Sequence, residues 1–533
     1  MQRNATSKSS KLSRLKTQIR SQLATQFAPV KAPLLAMLLG AFSVLGFAPY
    51  YLFPAPILGL LGLFYLWLKT DALRGAWILG FSYGLGLYGV GIYWIYISLH
   101  TFGGMPWWFA GFCTFCLCAF MALFPALVGY FSKRFGYFIL SAPVLWGLSD
   151  WVRSWIFTGF PWLTMGYSQV PHSPLAGYMP IVGVYGVSVM TVLLAAIIAY
   201  WLAKPQQTAN WKRSAIAAVS LLLVSGLFLK AVEWTAPIGK PISVALLQGN
   251  ISQDIKWSPD AAQNTIDVYW DMVKNTKADL IVLPETALPV IASELDPAIK
   301  AKLAQHAQAQ SGNLLIGMVQ YQEYVEGHDT VRAYFNSAIS FGSNPTQTYS
   351  KNHLVPFGEF IPLKFAFGWI YRDWLNMPLS DLSRGGTQQQ AMQLGTQKIA
   401  VNICYEDVFG EEIIRQLPAA TMLVNMSNDA WYGQSFAADQ HMQFSQARAL
   451  ETGRMALRAT NTGATAIIDQ HGMVLAHAPH DEKNILLANA QGYQGSTPYV
   501  RWGNWPVLLL FLACGLFLGT KKVTVQNWQN KQR

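Results

Sequence analysis

Long apolar runs separated by short basic connections constrain this chain more than any other feature. The first run, "APLLAMLLGAFSVLGFAP" from Ala32, is almost long enough to cross a bilayer and follows a leader with seven basic residues and no acidic one. It lacks a small-residue cleavage site and passes into further apolar sequence, so it reads as a retained span and not as a signal peptide. Six more spans are expected near residues 53–68, 76–97, 107–131, 137–152, 179–203 and 214–229, and an eighth near 504–519. With 52% hydrophobic and only 12% charged residues, the chain is too apolar for an ordinary soluble enzyme.

The charge distribution gives the topology. The formal net charge is +11, but residues 234–500 hold 17 Lys and Arg against 24 Asp and Glu. The apolar remainder therefore holds 21 basic residues against 3 acidic ones, a bias that belongs to membrane orientation and excludes a nucleic-acid partner. Alternate connections carry the charge: Lys69 with Arg74, Lys133 with Arg134, Lys204 with Lys212 and Arg213, and the tail with Lys521 and Lys522. Placing those sides in the cytoplasm puts both termini inside and the segment between the seventh and eighth spans outside. The expected organisation is a basic cytoplasmic tail (1–31), a seven-span domain (32–232), an outer domain (233–500), a C-terminal span (501–520) and a cytoplasmic tail (521–533). Aromatic clusters such as "YWIYISLHTFGGMPWWF" suit an interface belt.

Two features within the spans are polar. Asp150 and Arg153 in "LSDWVRSWIF" stand at i, i+3 spacing, fit for an ion pair or for contact with a lipid headgroup or substrate. Cys113, Cys116 and Cys118 have no histidine partner and are expected to pack as small buried hydrophobes, not to hold a metal.

From Lys240 the texture changes. Short apolar runs, "ISVALLQGN", "ADLIVLPET", "NLLIGMVQ", "YFNSAISFG", "KIAVNICYE", "TMLVNMSND", "ATAIIDQHG" and "NILLANAQ", alternate with helix-like stretches including "DAAQNTIDVYWDMVKNT" and "AADQHMQFSQARALETGRMALRA". That order predicts a layered α/β sandwich with polar residues gathered at strand ends. Three ends stand out: Glu285 in "LIVLPET", Lys351 and Glu359 in "TYSKNHLVPFGE", and Cys404 in "VNICYED". The other four cysteines lie in expected spans, so Cys404 has no disulfide partner in its own domain and is either an inert buried side chain or a reactive thiol. If Glu285 approaches it, the carboxylate can take the thiol proton, and Lys351 can stabilise both a thiolate and an oxyanion. His353 and His441 offer a competing Cys–His arrangement, but nothing in the sequence marks either as the partner.

These residues resemble the Glu-Lys-Cys triad of the nitrilase superfamily, in the same chain order. The resemblance narrows to the apolipoprotein N-acyltransferase family through "LLQGNISQDIKW", "KNHLVPFGEFIP", "ICYEDVFG", "NMSNDAWYG", "QHMQFSQARALETGR", "RATNTG" and "GFPWLTMGYSQ". It implies an α-β-β-α sandwich outside the membrane, carried on seven spans before it and one after. It also implies a two-step transfer in which Cys404 takes an acyl chain from a membrane phospholipid and passes it to the α-amino group of an S-diacylglyceryl cysteine on an apolipoprotein. In that scheme Glu285 is the base, Lys351 supports the tetrahedral intermediates, Glu359 orients Lys351, and Tyr405 and Glu406 shape the nucleophile's turn. Trp257 resembles the aromatic residue over the family's substrate entrance. The loop with Asn428, Asp429 and Trp431 is expected to line the site, and the aromatic stretch 362–378 to act as a lid or as an interfacial anchor. The location implied is the bacterial inner membrane with the catalytic domain on the periplasmic face.

No metal-ligand set, phosphate loop or dinucleotide fingerprint is present in the sequence, so no cofactor is expected. The expected partners are the two lipid substrates, with the protein itself a monomer. The rival reading is a membrane-tethered carbon-nitrogen hydrolase that cuts a small amide with the same triad.

Overall fold

The computed structural model describes residues 31–252, 259–326, 329–342, 345–362, 365 and 381–531. Trp257, nearly all of the basic leader, and the stretch 362–378 apart from Pro362 and Phe365 lie outside the described residues.

Apolar helices form the first part of the chain. Among the described residues, three are long and apolar enough to cross a membrane, Trp107–Phe135, Pro174–Ala203 and Ala209–Lys230. A fourth crossing is possible if Leu73–Gly91 and Trp94–Phe102, bent by 52° at a short break, count as one span. The apolar helices Lys31–Gly46, Pro54–Lys69 and Trp505–Thr520 are shorter. The helix Phe138–Arg153 carries Asp150 and Arg153 to an ion pair whose two side chains are each 2% exposed. Ser188 donates to the Asp150 carboxylate, and the Arg153 guanidinium also reaches the Trp162 carbonyl oxygen, so the pair has further partners within the protein. The three cysteines of Trp107–Phe135 do not share one environment: Cys118 is buried, Cys113 half-buried and Cys116 exposed. At about 100° per residue, two positions along a helix point to opposite sides, so the expectation that all three are buried is corrected.

The second part is a pair of six-stranded sheets. The first runs in the order β12-β1-β2-β3-β4-β5, from β1 (Thr235–Gln248), β2 (Leu280–Val282), β3 (Asn313–Glu326), β4 (Asp329–Phe341), β5 (Thr348–Ser350) and β12 (Asn484–Gly495). The second runs β11-β10-β9-β8-β7-β6, from β6 (Met392–Leu394), β7 (Gln397–Ile403), β8 (Met422–Ser427), β9 (Ala456–Thr460), β10 (Ala466–Ile468) and β11 (Val474–His477). Each sheet has a parallel centre, β1-β2-β3 in one and β7-β8-β9 in the other, with antiparallel flanks.

Strand alternation then makes four layers. Val244 and Leu246 of β1 share a core with Val401, Ile403, Val424 and Met426 of the facing sheet. Ala245 and Leu247, one residue out of step, pack instead with Tyr269 and Val273 of the helix Pro259–Lys274. On the other side, Ala400 and Leu423 pack with Ala438, Met442 and Ala449 of the helix Ala437–Thr452. Side chains of period 2 on strands buried on both faces give an α-β-β-α sandwich and near-continuous apolar runs in the sequence.

The sandwich is seated on the helical bundle through the helix Ala437–Thr452. Gln440 accepts from the indole nitrogens of Trp94 (3.2 Å) and Trp162 (2.7 Å) and donates to the Gly91 carbonyl oxygen (3.1 Å). Gly183 has φ +62°, which breaks the helix Met179–Ala203 near its start and frees the Val184 N–H to donate to Glu451 (2.8 Å). Glu451 is also held by Arg448 at 3.0 Å, and both are fully buried. Removing one partner of such a pair leaves an uncompensated charge, so Glu451→Ala should destabilise the protein by about 3–5 kcal/mol. Thermal unfolding of the full chain in detergent, followed with Arg448→Met/Glu451→Leu as the charge-free control, checks this.

Candidate active site

The polar ends of four strands meet on one side of the sandwich. Glu285 lies three residues past β2, Lys351 one past β5, Cys404 one past β7 and Asp429 two past β8. This is where parallel sheets place their ligand crevices, because the carboxyl ends of the strands open into loops that need not continue the ladder.

Lys351 is the centre of the cluster. Its ammonium is 1% exposed and lies 2.8 Å from Glu359 Oε2 and 3.4 Å from Glu285 Oε1. Burial alone would strip its charge, but the two carboxylates overcome this and hold it well above the usual lysine range. Asn336 on β4 bridges the same two carboxylates, its amide donating to Glu285 Oε1 (2.7 Å) and Glu359 Oε1 (2.9 Å). The Asn336 carbonyl oxygen accepts the Lys351 N–H at 2.8 Å. Glu359 is anchored in turn by the Val355 N–H at 2.9 Å. Glu285, Lys351 and Glu359 are thus brought together as one charged unit.

Cys404 opens a short 3₁₀ turn, Cys404–Val408, with φ +53°. A left-handed conformation at a residue with a Cβ costs about 1–2 kcal/mol, so surrounding contacts must hold it. The side chain is 8% exposed, a sliver of access in an otherwise buried turn. Burial, and after it the Glu285 carboxylate, pushes the thiol well above its usual value, while Lys351 pulls it down. The resting group is therefore a thiol, and the arrangement can make a nucleophile only by passing the proton to a base as the substrate is attacked.

Glu406 ties this turn to the lysine segment. Its Oε1 accepts from the N–H groups of Asn352 (2.7 Å) and His353 (3.1 Å). Its Oε2 accepts from Tyr349 Oη (2.9 Å) and the Ile403 N–H (2.8 Å). Burial raises its carboxyl to about 7 against the pull of those N–H groups and Lys351. Tyr405 ties the turn to the helical bundle, donating to the Gly159 carbonyl oxygen at 2.9 Å with its ring parallel to that of Trp162, 6.4 Å away.

Other predicted residues stand further out. Trp431 is half-buried, its ring edge-on to Phe102 at 6.1 Å. Phe102 and Asp429 line a cavity of about 350 Å³ together with Asn250, Ser252, Thr462 and His480. His353 stacks on Phe409 at 3.7 Å, with Nε2 at 2.8 Å from the Thr158 carbonyl oxygen and Nδ1 at 3.2 Å from Glu412. His441 lies under the nucleophile's turn, but its Nε2 meets the carbonyl oxygen of Cys404 at 3.1 Å. Asn336, Tyr349, Asn425 and Arg458 escape sequence reasoning. The only trace of Asn336 and Asn425 is an amide inside a strand, since a buried polar group demands a partner. Among the described residues no group of three or more His, Cys, Asp or Glu side chains is arranged to hold a metal ion.

Comparison with known proteins agrees along both parts of the chain. Residues 39–197 match the family model for the apolipoprotein N-acyltransferase N-terminal domain, and residues 243–499 that for carbon-nitrogen hydrolase. The apolipoprotein N-acyltransferase of Nitrosomonas europaea is 48% identical over 486 residues, 90% of this chain and 95% of that one. That of Chromobacterium violaceum is 43% identical, covering 90% and 91%. A solved amidase variant from Nesterenkonia AN1, of the nitrilase superfamily, is 16% identical and covers 50% of this chain and 95% of its own, with a TM-score of 0.35. At that level the structural likeness carries no argument.

The Asn336 bridge has a measurable consequence. Asn336→Leu leaves Glu285 and Glu359 without their shared donor and should slow thiol-dependent turnover about 10–100-fold at unchanged KM, because misplaced reacting groups are costly. Steady-state kinetics of the purified full chain check the split.

Proposed function

The chain belongs to the apolipoprotein N-acyltransferase family, and on that premise we propose that it moves a fatty acyl chain from a membrane phospholipid to the α-amino group of the S-diacylglyceryl cysteine of an apolipoprotein. It is an enzyme, an N-acyltransferase acting in the last step of lipoprotein maturation. The observation that carries the mechanism is the charged unit of Lys351 between Glu285 and Glu359, set beside a thiol that is held protonated.

In the first step Glu285 takes the proton of Cys404 while sulfur attacks the ester carbonyl carbon. The carbon–sulfur bond forms, the ester carbon–oxygen bond breaks, and the proton passes from Glu285 to the departing alkoxide, leaving a lysophospholipid and a thioester. In the second step the substrate amine attacks the thioester, the carbon–nitrogen bond forms, the carbon–sulfur bond breaks, and Glu285 returns the amine proton to sulfur. Lys351 donates to the oxyanion in both tetrahedral intermediates, and Glu359 keeps it aimed. Glu406 and Tyr405 hold the nucleophile's turn, and Trp431 borders the substrate path.

The membrane setting favours transfer over hydrolysis. Thioesters react with water as well as with amines, and a site seated on an apolar bundle is fed with acyl chains and shielded from water. The positive-inside pattern supports eight spans, with both termini in the cytoplasm, the enzyme in the inner membrane and residues 233–500 on the periplasmic face. The protein acts as a monomer without a cofactor.

A transfer assay separates this from amide hydrolysis. The full chain in detergent, given phosphatidylethanolamine–phosphatidylglycerol vesicles and a diacylglyceryl peptide, should yield a triacylated peptide and lysophospholipid. Cys404→Ala and Glu285→Gln should each lose at least about 1,000-fold. Ammonia release from small amides, with no dependence on phospholipid, would contradict the proposal.

A further inference from the structure

Beneath the nucleophile's turn lies a buried cluster of four charged side chains for which the transfer mechanism has no use. His441, Asp407, Asp429 and Arg458 come from four elements: the helix Ala437–Thr452, the turn after β7, the turn after β8, and β9. None is more than 2% exposed. Arg458 binds Asp407 Oδ2 at 3.2 Å and Asp429 Oδ2 at 2.9 Å. His441 faces the same two aspartates, its Nδ1 hydrogen-bonded to Asp429 Oδ1 at 2.8 Å and its Nε2 at 3.0 Å from Asp407 Oδ1, an ion-pair distance without a hydrogen bond.

The geometry sets the protonation of the imidazole. Both ring nitrogens face oxygens that can only accept: carboxylates on both sides, and on the Nε2 side the Cys404 carbonyl oxygen as well, at 3.1 Å. A neutral imidazole has one N–H and would leave a lone pair against a carboxylate. A doubly protonated ring gives one N–H to Asp429 and the other to the Cys404 carbonyl oxygen and balances the cluster, two cations against two anions, as burial of charge requires. Asp407 and Asp429 hold the proton to about 9 against the effects of burial and of Arg458.

The Cys404 carbonyl oxygen has a second donor, Asn425 Nδ2, at 3.1 Å. Asn425 is itself fixed by Arg458 Nη1, which donates to its Oδ1 at 2.7 Å. Two donors from two elements converge on the one carbonyl whose orientation follows from the left-handed backbone at Cys404. A relaxed, right-handed turn would swing that oxygen off both donors and the sulfur away from Glu285 and Lys351.

We propose that His441, as an imidazolium, is a positioning residue for the nucleophile: by donating to the Cys404 carbonyl oxygen it fixes the turn that aims the thiol at Glu285 and Lys351. It touches neither substrate nor sulfur and acts only through the backbone. The inference rests on the reading of Cys404 as the nucleophile.

The test uses the full chain in detergent, with acyl-enzyme formation from phosphatidylglycerol followed by rapid quench. Wild-type acylation, lost in Cys404→Ala, first establishes the nucleophile; its failure would strike the functional reading and not the role of His441. His441→Ala should then acylate about 100-fold more slowly at a phospholipid KM within about two-fold of wild type, and His441→Gln, which retains an N–H donor, should recover part of the rate. Acylation by His441→Ala within about three-fold of wild type, or a loss no larger than the loss of folded protein, would overturn the proposal. Nitrogen-15 spectra of histidine-labelled wild-type enzyme decide independently of whether the variants fold. One ring, absent from the His441→Gln spectrum or assigned by neighbouring substitutions, should stay doubly protonated at pH 7.5 and lose a proton only near pH 9. A neutral His441 at pH 7.5 would overturn it.

Discussion

A buried ammonium governs the rest of this site. Lys351 is almost wholly removed from water, and a lone charge in that position would be untenable without compensation. Glu359 at 2.8 Å and Glu285 at 3.4 Å supply it, and the two carboxylates are held in turn by the Asn336 amide and the Val355 N–H. The unit carries one excess negative charge in the resting enzyme. Moving the thiol proton to Glu285 relocates that charge to sulfur beside the same ammonium, without creating a new one. A carboxylate near a thiol, which would ordinarily suppress ionisation, then becomes a proton acceptor for a step that happens only with substrate in place.

Three separate connections keep the thiol in register with that unit. Glu406 joins the nucleophile's turn to the lysine segment through three hydrogen bonds, Tyr405 joins it to the helical bundle through Gly159, and His441 with Asn425 grips its backbone from below. The bundle is thereby part of the site's framework. Gln440, bonded to Trp94, Trp162 and Gly91, and Glu451, bonded to Val184, continue the same seam along one helix.

The strand pattern was legible because strands buried on both faces leave long apolar runs, and their ends carry the few polar residues. Glu285, Lys351, Glu359 and Cys404 were visible for that reason. The strand pattern alone did not show their mutual approach, since it depends on two sheets packed face to face from segments distant in the chain. Asn336 and Asn425 were hidden as single amides within strands, and Arg458 as one cation among several in its segment. Nothing in the sequence marks His441 as a partner of Cys404, and the contact it makes is to backbone, which no side-chain pattern encodes. Hydropathy locates the apolar helices, but among the described residues only three, or four with the bent pair, are long and apolar enough to cross a membrane. The break between Gly91 and Trp94, which bends one expected span by 52°, was not legible, because hydropathy is blind to direction.

The central claim is that one sulfur carries the acyl chain between two lipids. Intact-mass analysis of the purified protein after exposure to phospholipid, with no acceptor peptide present, tests it most directly. The account predicts a single added fatty acyl mass, removed by neutral hydroxylamine and absent from Cys404→Ser. An unmodified mass in an enzyme that still transfers acyl chains, or an adduct that survives in Cys404→Ser, would contradict it.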